Sequence, residues 1–459
     1  MMAPLPLQEI AHAIGADGVF DGTVENVSTD SRNIAAGDLF VALRGENFDG
    51  HQFVNAVAQQ GAVAAVVELP SDIDLPQLCV KDSLVALAQI AALNRQRFVR
   101  AGGRVAALTG SCGKTSCKEI LATILRQKVS VLATRGNLNN EIGVPKTLLE
   151  IAPEHQLAVI EMGAAKPGDI HYLCQYAQPE VALITLAAPA HLEGFGSIEA
   201  VAKTKGEIYT ALPPHGTAVI NADDRFAQQW QDSTSAGRVV TVSLCSTTAD
   251  VYASAIRTGA KGCEFVLHAH GEQADVHMPL LGEAMVMNAL LASAAAMSLG
   301  ATMADIAAGL AGLSPVPGRL YPSAQPWGLL IDDSYNANPA SVKAAIDVLS
   351  QCQGRKILVL GDMAELGADS DALHDEVGRY AVESGIDLLF TCGEHAKHAT
   401  EAVVPHGLHF PDRAALAAAL INIIESGDAV LVKGSRSSGM DDVVKTVANS
   451  QVAGGITTC

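Results

Sequence analysis

The chain has 459 residues, of which 49% are hydrophobic and 17% charged, so it is long enough for about three domains with large cores. Its net charge of −19 argues against a general nucleic-acid-binding surface, and any polyanionic ligand would need locally concentrated positive charge. Nine dispersed cysteines without CxxC pairs or zinc-ligand spacing favour a reducing compartment.

The start of the chain predicts a small α/β domain over residues 1–83. The opening "MMAPLPLQEIAHAIG" has neither a basic start nor a long apolar run, so we expect no signal peptide and a cytoplasmic protein. Apolar runs such as "DLFVALRG" and "GAVAAVVEL" flank the helix-like "HQFVNAVAQQ". Apolar positions 84, 87, 88 and 91 in "SLVALAQIAALNRQRF" predict an amphipathic connecting helix.

Residues 84–314 are predicted to form a central parallel-sheet domain. The apolar runs "RVAALTG", "LAVIEMGA", "VALITLA" and "TAVINADD" each end in a polar turn, and helical stretches such as 114–127 and 198–210 separate them. Continuous apolar strands that alternate with helices are typical of a parallel sheet covered on both faces. Ligands bind at the carboxyl ends of such strands. The alanine-rich "AMVMNALLASAAAMSLGATMA" carries Asn288 and predicts a packed helix, so we expect no membrane insertion.

The last part of the chain is predicted to form a Rossmann-like domain over residues 315–459. "GLSPVPG" indicates a linker, and "GLLIDDSYNANP", "RKILVLGDMAELG" and "DAVLVKGSRSSG" are three strands that each end in a polar turn. The dinucleotide fingerprint G-x-G-x-x-G is absent, which counts against NAD or FAD. The predicted fold class is therefore α/β with three domains, the central one a P-loop ATPase domain.

The segment "ALTGSCGKTSCKEILATIL" predicts a phosphate-binding loop between a strand and a helix. Its G-x-x-G-K-T pattern is two residues shorter than G-x-x-x-x-G-K-[ST]. Backbone N–H groups and the helix dipole can bind phosphate, Lys114 adds a full charge, and the Thr115 hydroxyl can ligate Mg²⁺. An ordinary strand–glycine–helix turn is the alternative. The predicted nucleotide-binding residues are Gly110, Ser111, Cys112, Gly113, Lys114, Thr115 and Ser116.

Three further polar residues are candidates for the same site. Glu161 ends a predicted buried strand, where a carboxylate beside a phosphate loop is a natural Mg²⁺ ligand. His191 follows another strand, and Lys205 lies in "VAKTKGEIY". Taken alone, each of these residue types is more common in a structural or solvated role.

The combined motifs resemble the Mur ligase family over nearly the whole chain. Their order and spacing are most like those of members that join D-alanyl-D-alanine to a UDP-N-acetylmuramoyl-tripeptide. The short loop is that family's form, and no single motif is specific by itself. The motifs are "VSTDSRNIAAGDLFVALRGENFDGH", "TGSCGKTS", "RGNLNNEIGVP", "VIEMGA", "AHLEGFGS", "KTKGEI", "PGRL", "DDSYNANP", "GDMAELG" and "LVKGSRS".

The resemblance implies an ATP-dependent amide ligase of peptidoglycan precursor synthesis. ATP phosphorylates a substrate carboxylate, and an amine then attacks the acyl phosphate. It further implies that Thr115 and Glu161 hold one Mg²⁺ and that His191 binds a second. Lys205 matches the family lysine that carries a carbamate, a reaction that burial favours because it lowers the pKa of an amine. We expect Lys114, Glu161, His191 and Lys205 to be catalytic in a monomeric enzyme.

Weaker implications concern the two ends of the substrates. Ordinary turns, caps, salt bridges or solvated loops are the alternatives for these residues. The residues implied to contact ATP are Asn288, Arg319, Asp333, Asn336 and Asn338. The residues implied to contact the other substrates are Ser31, Arg32, Asn137, Asn139, Asn140, Lys433, Ser435 and Arg436.

Three residues depart from the family pattern. Where the family has G-x-H-N-x-x-N, this chain reads "GEAMVMN", with Ala284 and Met285 replacing the central His and Asn. Leu186 stands where an asparagine is usual. Because of these departures, a nucleotide-binding regulatory protein without ligase activity is one alternative. A second alternative is a related ligase such as a folylpolyglutamate synthase, against which the front motif "TDSR…GDLFVALRG" argues.

Overall fold

The structure is a computed structural model that describes residues 2–45, 48–189, 192–401 and 403–450. It is an α/β fold in which three large sheets follow one another along the chain, which confirms the predicted fold class. Within the described ranges, no helix combines the length and the apolar character needed to cross a lipid bilayer.

The first region is built on a four-stranded parallel sheet with the strand order β3-β4-β7-β8. Strands β4 and β7 are buried along their full lengths, which agrees with the continuous apolar runs there. The elements are β1 (Leu5–Pro6), α1 (Leu7–Ile14), β2 (Thr23–Val24), β3 (Asn26–Ser28), β4 (Asp38–Val41), β5 (Arg44–Gly45), β6 (Phe48–Asp49), α2 (Val54–Gln60), β7 (Ala64–Val67) and β8 (Gln77–Cys79).

The predicted connecting helix is confirmed as α3 (Ser83–Arg100). Asp82 begins it, because its carboxylate accepts hydrogen bonds from the backbone N–H groups of Leu84 and Val85. Its buried residues, among them Leu87 and Ile90, lie in the same core as helix α1 and one face of the central sheet. The helix thus joins the first region to the second through a shared apolar core.

The central region contains a nine-stranded sheet with the order β10-β11-β9-β12-β13-β14-β15-β16-β17. Strands β9 to β14 are parallel. The four predicted runs correspond to β9, β11, β12 and β13, whereas β10 and β14 were not predicted. The strands are β9 (Arg104–Thr109), β10 (Val131–Ala133), β11 (Leu157–Glu161), β12 (Val181–Ile184), β13 (Thr217–Asn221), β14 (Arg238–Ser243), β15 (Val251–Gly259), β16 (Gly262–Ala269) and β17 (Glu272–Met278). The helices are α4 (Lys114–Leu125), α5 (Gly143–Leu149), α6 (Asp169–Ala177), α7 (Leu192–Phe195), α8 (Ile198–Thr210), α9 (Ala227–Ser233), α10 (Glu283–Ser298) and α11 (Met303–Ala311).

Strand β9 is apolar from Val105 to Leu108 because helices cover both faces of the sheet. Val105 and Ala107 belong to one core, and Ala106 and Leu108 to the core on the opposite face. Helix α10 fills the second core with buried alanines and leucines and confirms the predicted packed helix. The parallel strands therefore place their carboxyl ends, among them Thr109, at one edge of the sheet.

The antiparallel extension β15–β17 was not predicted. Its strands alternate buried and more exposed residues, as in β16, where Cys263, Phe265 and Leu267 are buried between more exposed neighbours. One face of an antiparallel sheet can remain in water, so such strands lack the continuous apolar runs of the parallel core.

The third region is a six-stranded sheet with the order β18-β19-β23-β20-β21-β22, parallel except for β18. The three predicted strand–turn units correspond to β19, β20 and β23, and the other three strands were not predicted. The elements are β18 (Tyr321–Gln325), β19 (Gly328–Asp333), α12 (Pro339–Ser350), β20 (Lys356–Gly361), α13 (Ser370–Glu383), β21 (Leu388–Cys392), α14 (Lys397–Glu401), β22 (Gly407–Phe410), α15 (Arg413–Ile423), β23 (Asp428–Lys433) and α16 (Asp441–Ala448).

Candidate active site

The glycine loop joins the end of β9 to the start of α4, as predicted. Its backbone is held by the chain that follows β12: the Ser111 N–H donates to the Leu186 carbonyl over 2.9 Å, and the Ser111 hydroxyl donates to the Ala188 carbonyl over 2.9 Å. Gly113 precedes α4 without capping it through a side chain. The first turn of α4 can therefore offer its N–H groups and its dipole to a phosphate.

Lys114 is the first residue of α4, and its ammonium lies in a charged setting. Its Nζ donates to the Gly110 carbonyl over 2.8 Å. Burial lowers the pKa of the Lys114 amine, and the nearby Glu161 carboxylate opposes that shift. The side chain is thus folded back over the loop that it is expected to support.

Glu161 ends β11 and is 2% exposed. Its Oε1 accepts a hydrogen bond from Asn139 Nδ2 over 2.9 Å and a longer one from the Thr115 hydroxyl over 3.5 Å. Among the described residues, Glu161 Oε2 has no hydrogen-bond partner. A buried carboxylate oxygen without a donor, beside a hydroxyl and an amide, is a donor set that suits a hard cation such as Mg²⁺.

Lys205 lies on α8 and is 2% exposed. Burial, together with the positive charge of Lys114, lowers the pKa of its amine to about 7. The predicted neighbour His191 lies outside the described residues. A buried lysine with so low a pKa is unprotonated in a substantial fraction of molecules near neutral pH.

Arg319 brings the linker before β18 into the site. Its Nη2 donates to the Thr115 hydroxyl over 3.2 Å, and its Cζ lies 4.1 Å from the centre of the Tyr335 ring. The stacked ring restricts the guanidinium to a position that faces the glycine loop. The third region therefore supplies a cation that faces the glycine loop, where the family resemblance implies the phosphates of ATP.

Helix α12 also contacts the loop through its N-cap residue. Asn338 caps the helix by accepting from the Ser341 N–H over 2.9 Å, and its Oδ1 also accepts from Cys112 Sγ over 3.1 Å. Asn336 accepts from its own neighbour Ala337 N–H over 2.9 Å. Asn338 therefore caps helix α12, as one alternative predicted, and also contacts the glycine loop.

A buried ion pair lies beneath that segment. Lys433 was expected in the loop after the last strand, but it is the final residue of β23 and is 2% exposed. Its Nζ pairs with Asp333 and donates to the Asn336 carbonyl over 2.9 Å. Burial raises the pKa of the Asp333 carboxyl, and Lys433 opposes the shift. These contacts occupy Lys433 within the protein.

Two cavities meet at the glycine loop. One, of about 520 Å³, is polar, and the residues that line it include Lys114, Thr115, Glu161, Arg319 and Arg436. The other, of about 150 Å³, lies between α10 and α12 and includes the three departures Leu186, Ala284 and Met285. Asn288 borders the smaller cavity beside Gly113, and Ser116 also lines it.

The structure brings only some of the predicted substrate residues to the larger cavity. Asn137, Asn139 and Asn140 line it, although Asn140 also accepts from the Gly143 N–H over 2.9 Å. Arg436 lines it from the third region, while Ser435 is buried beside β23.

Ser31 and Arg32 remain in the first region. Arg32 is exposed and forms a bidentate pair with Asp30, with distances of 2.8 and 2.9 Å, which holds the pKa of that carboxyl far below its usual range. The Ser31 carbonyl accepts from Gln60 Nε2 over 3.2 Å.

Sequence reasoning missed three residues that support the site. Thr185 packs against Gly110, Tyr335 stacks on Arg319, and Lys118 places a buried ammonium 4.0 Å from Glu161 Oε2. Lys118 had a usable signal, because it lies four residues after Lys114 and so on the same side of the helix. For Thr185 and Tyr335 the contacts depend on the folded chain.

Comparison with known families matches all three regions. Residues 23–100 match the family model described as "Mur ligase family, catalytic domain", residues 108–296 match "Mur ligase middle domain", and residues 318–436 match "Mur ligase, glutamate ligase domain".

Individual relatives are similar over nearly their full lengths. The chain is 46% identical to the UDP-N-acetylmuramoyl-tripeptide–D-alanyl-D-alanine ligase of Escherichia coli K12, over 93% of this chain and 94% of the relative. A crystal structure of MurF from Acinetobacter baumannii superposes with a TM-score of 0.93 at 36% identity, covering 98% of this chain and 100% of that one.

A structure of MurF from Thermotoga maritima in complex with ADP superposes with a TM-score of 0.83 at 29% identity, covering 92% of this chain and 97% of that one. The matched regions include the glycine loop, Glu161 and Arg319, which the structure gathers at one cavity. The chain therefore belongs to the Mur ligase family.

Proposed function

We propose that this chain is the ATP-dependent ligase that adds D-alanyl-D-alanine to a UDP-N-acetylmuramoyl-tripeptide in peptidoglycan precursor synthesis. The observation that carries the proposal is the convergence of Lys114, Thr115, Glu161 and Arg319 on one cavity of about 520 Å³. Its size suits a reaction centre at which a phosphoryl group and two further substrates meet. The relatives named above are ligases of this type, and the chain matches them over nearly its whole length.

The chemistry requires positioning and charge neutralisation. The terminal carboxylate of the tripeptide attacks the γ-phosphorus of ATP, and the bond from that phosphorus to ADP breaks. The amine of D-alanyl-D-alanine then attacks the acyl carbon, and phosphate leaves as the amide bond forms. The loop N–H groups, Lys114 and Arg319 balance the negative charge that accumulates around the transferred group.

The residues around Glu161 fit a magnesium ion. Thr115 Oγ1 and Glu161 Oε2, which accepts no hydrogen bond from a described residue, would hold it. His191 belongs to the same proposal although it lies outside the described residues. When bound, Mg²⁺ neutralises charge on the β- and γ-phosphates of ATP. The carboxylate, for its part, is already oriented by Asn139.

Lys205 has the property that carbamate formation needs. Its pKa of about 7 leaves an unprotonated amine near neutral pH, and such an amine can add CO₂. The carbamate would replace a buried positive charge with a negative one beside Lys114. That change would suit a site that binds cations.

The three regions divide the substrates between them in this proposal. Residues 1–83 receive the UDP end, residues 84–314 bind ATP, and residues 315–459 bind the dipeptide and close over the site. Arg319 and Asn338 already contact the central loop, which supports a closing role for the third region. All cysteines within the described ranges are free thiols, in keeping with a cytoplasmic enzyme, and we propose that it acts as a monomer.

Phosphate release tests the function directly. The chain is incubated with ATP, Mg²⁺, UDP-N-acetylmuramoyl-tripeptide and D-alanyl-D-alanine, with each component omitted in turn. We expect release only when both acceptor substrates are present, and loss of release in Lys114→Ala. Lys128→Ala is the matched control, because Lys128 is exposed and bonds to the Gly300 carbonyl away from the loop.

The same assay separates the alternatives. Release that requires a folate and glutamate in place of the UDP-tripeptide and the dipeptide would indicate a folylpolyglutamate synthase. Nucleotide binding without phosphate release under any combination would indicate a regulatory protein. That alternative rests on the apolar residues Leu186, Ala284 and Met285, which line the smaller cavity.

A further inference from the structure

Lys118 is a buried lysine one helical turn after Lys114. It is 1% exposed, and its ammonium donates to the Thr134 carbonyl over 2.6 Å and contacts Glu119 Oε1 at 2.9 Å. Lysine is rarely buried unless it is paired, because a charge loses its hydration in the interior. Those two contacts satisfy the ammonium in part, but they do not explain why it points towards the reaction centre.

The third neighbour of the ammonium is the carboxylate of Glu161. Lys118 Nζ lies 4.0 Å from Glu161 Oε2, the oxygen for which no hydrogen-bond donor is found among the described residues. Thr134 strengthens this connection, because its hydroxyl accepts from the Glu161 N–H over 3.0 Å while its carbonyl accepts from Lys118. Lys118 and the backbone of Glu161 are therefore fixed to the same buried residue.

The two oxygens of Glu161 are thus held differently. Oε1 accepts from Asn139 over 2.9 Å, whereas Oε2 accepts no hydrogen bond from a described residue and has the Lys118 ammonium 4.0 Å away on its inner side. We propose that Lys118 is a positioning residue: it holds the Glu161 carboxylate in the orientation that presents it, with Thr115, to a divalent cation. The inference rests on the proposed function only in taking Mg²⁺ as that cation.

A binding experiment tests the inference without turnover. The dissociation constant of ADP is measured by titration calorimetry without and with Mg²⁺, and the readout is the value without Mg²⁺ divided by the value with Mg²⁺. In Lys118→Met we expect the Mg²⁺-dependent gain in ADP affinity to fall about 10-fold or more, as is usual when a group that orients a metal ligand is removed. ADP affinity without Mg²⁺ is expected to stay within about 2-fold of the unmodified chain.

Two further variants exclude a merely structural role. Lys128→Met removes an exposed lysine from the same part of the chain and should leave the ratio unchanged. Lys118→Gln keeps a donor for the Thr134 carbonyl but loses the charge, so it should reproduce the loss seen in Lys118→Met. If Lys118→Met fails to fold, Lys118→Gln supplies the measurement.

A double-mutant cycle with Glu161→Gln decides whether Lys118 acts through Glu161. We expect Lys118→Met to have less than about a 2-fold effect on the ratio once Glu161 is replaced, because there is then no carboxylate to orient. An unchanged or increased ratio in Lys118→Met, or effects that simply add in the cycle, would overturn the inference. If the unmodified chain released no phosphate, the proposed function would be wrong. The ADP-binding ratio would still test the role of Lys118.

Discussion

The Thr185 hydroxyl lies where the β-carbon of any larger residue at position 110 would stand. A Cβ built on Gly110 comes within 1.8 Å of Thr185 Oγ1, and the φ angle of Gly110 is 153°. The same hydroxyl donates to the Cys112 carbonyl over 2.5 Å. The glycine is therefore required so that the end of β12 can approach and support the phosphate loop.

Gly110→Ala is expected to disrupt nucleotide binding. The added methyl must displace Thr185 or the loop, and forced packing of this kind costs about 1–3 kcal/mol, or roughly 5- to 150-fold in affinity. Titration of ADP in the presence of Mg²⁺ measures the effect. Thr185→Ala in the same chain should restore part of the affinity, because it removes the nearest atom and leaves the Thr185 Cβ at 3.1 Å.

Gly259→Ala is the matched control for that substitution, since a Cβ at position 259 meets nothing within 4 Å. Unaltered ADP affinity in Gly110→Ala would mean that the loop does not need the close approach of Thr185.

Tyr335→Leu is expected to slow the reaction without abolishing it. The ring holds the Arg319 guanidinium by a cation–π contact, which is worth about 0.5–2 kcal/mol, so kcat/KM should fall roughly 2- to 30-fold. Phosphate release under subsaturating ATP measures the change. Tyr321→Leu, which alters a partly exposed tyrosine of the same region, should have little effect, and equal losses in both variants would contradict a specific role for Tyr335.

Although it missed the parallel strands β10, β14, β21 and β22, the sequence predicted β9, β11, β12 and β13, because parallel strands are buried on both faces and leave continuous apolar runs. Strand β11, "LAVIE", is one such run, and its final Glu161 reaches the glycine loop as expected for the shared edge of a parallel sheet. Strand β16 was missed because its alternation with polar residues resembles a loop with scattered apolar residues.

The site was predictable where function depends on consecutive residues and not where it depends on packing. Lys114 and Thr115 follow directly from the loop motif, and Glu161 follows from its strand end. Thr185 is far from Gly110 along the chain, and nothing near position 185 indicates that its hydroxyl supports the loop. Lys433 looked like a loop residue because a charged side chain after an apolar strand usually faces water, whereas Asp333 pairs with it in the interior.

Lys433→Met is expected to destabilise the protein strongly. It leaves Asp333 buried without its cation, and loss of one partner of a buried ion pair typically costs about 3–5 kcal/mol. Urea unfolding followed by circular dichroism measures the difference, and the double variant Lys433→Met with Asp333→Asn should recover part of it.

Lys343→Met provides the comparison with a surface pair. Lys343 contacts Glu376 where both side chains are substantially exposed, so its loss should cost only about 0–1 kcal/mol. If Lys433→Met and Lys343→Met lowered the urea midpoint equally, the buried pair would contribute no more to stability than the surface pair does.

Lys205 predicts a pH dependence of stability with a definite sign. Burial lowers its pKa to about 7 in the folded chain, while an unfolded lysine titrates near 10.4. Between these values the unfolded chain binds more protons, so the cost of burying Lys205 is complete below about pH 7 and shrinks as the pH rises towards 10. Lys205→Met, which keeps the apolar stem, should therefore raise Tm over the unmodified chain more at about pH 6 than at about pH 9. Thermal unfolding in CO₂-free buffer measures this difference, with the exposed Lys261→Met as control; a gain that is the same at both pH values would show that Lys205 keeps its proton when it is buried.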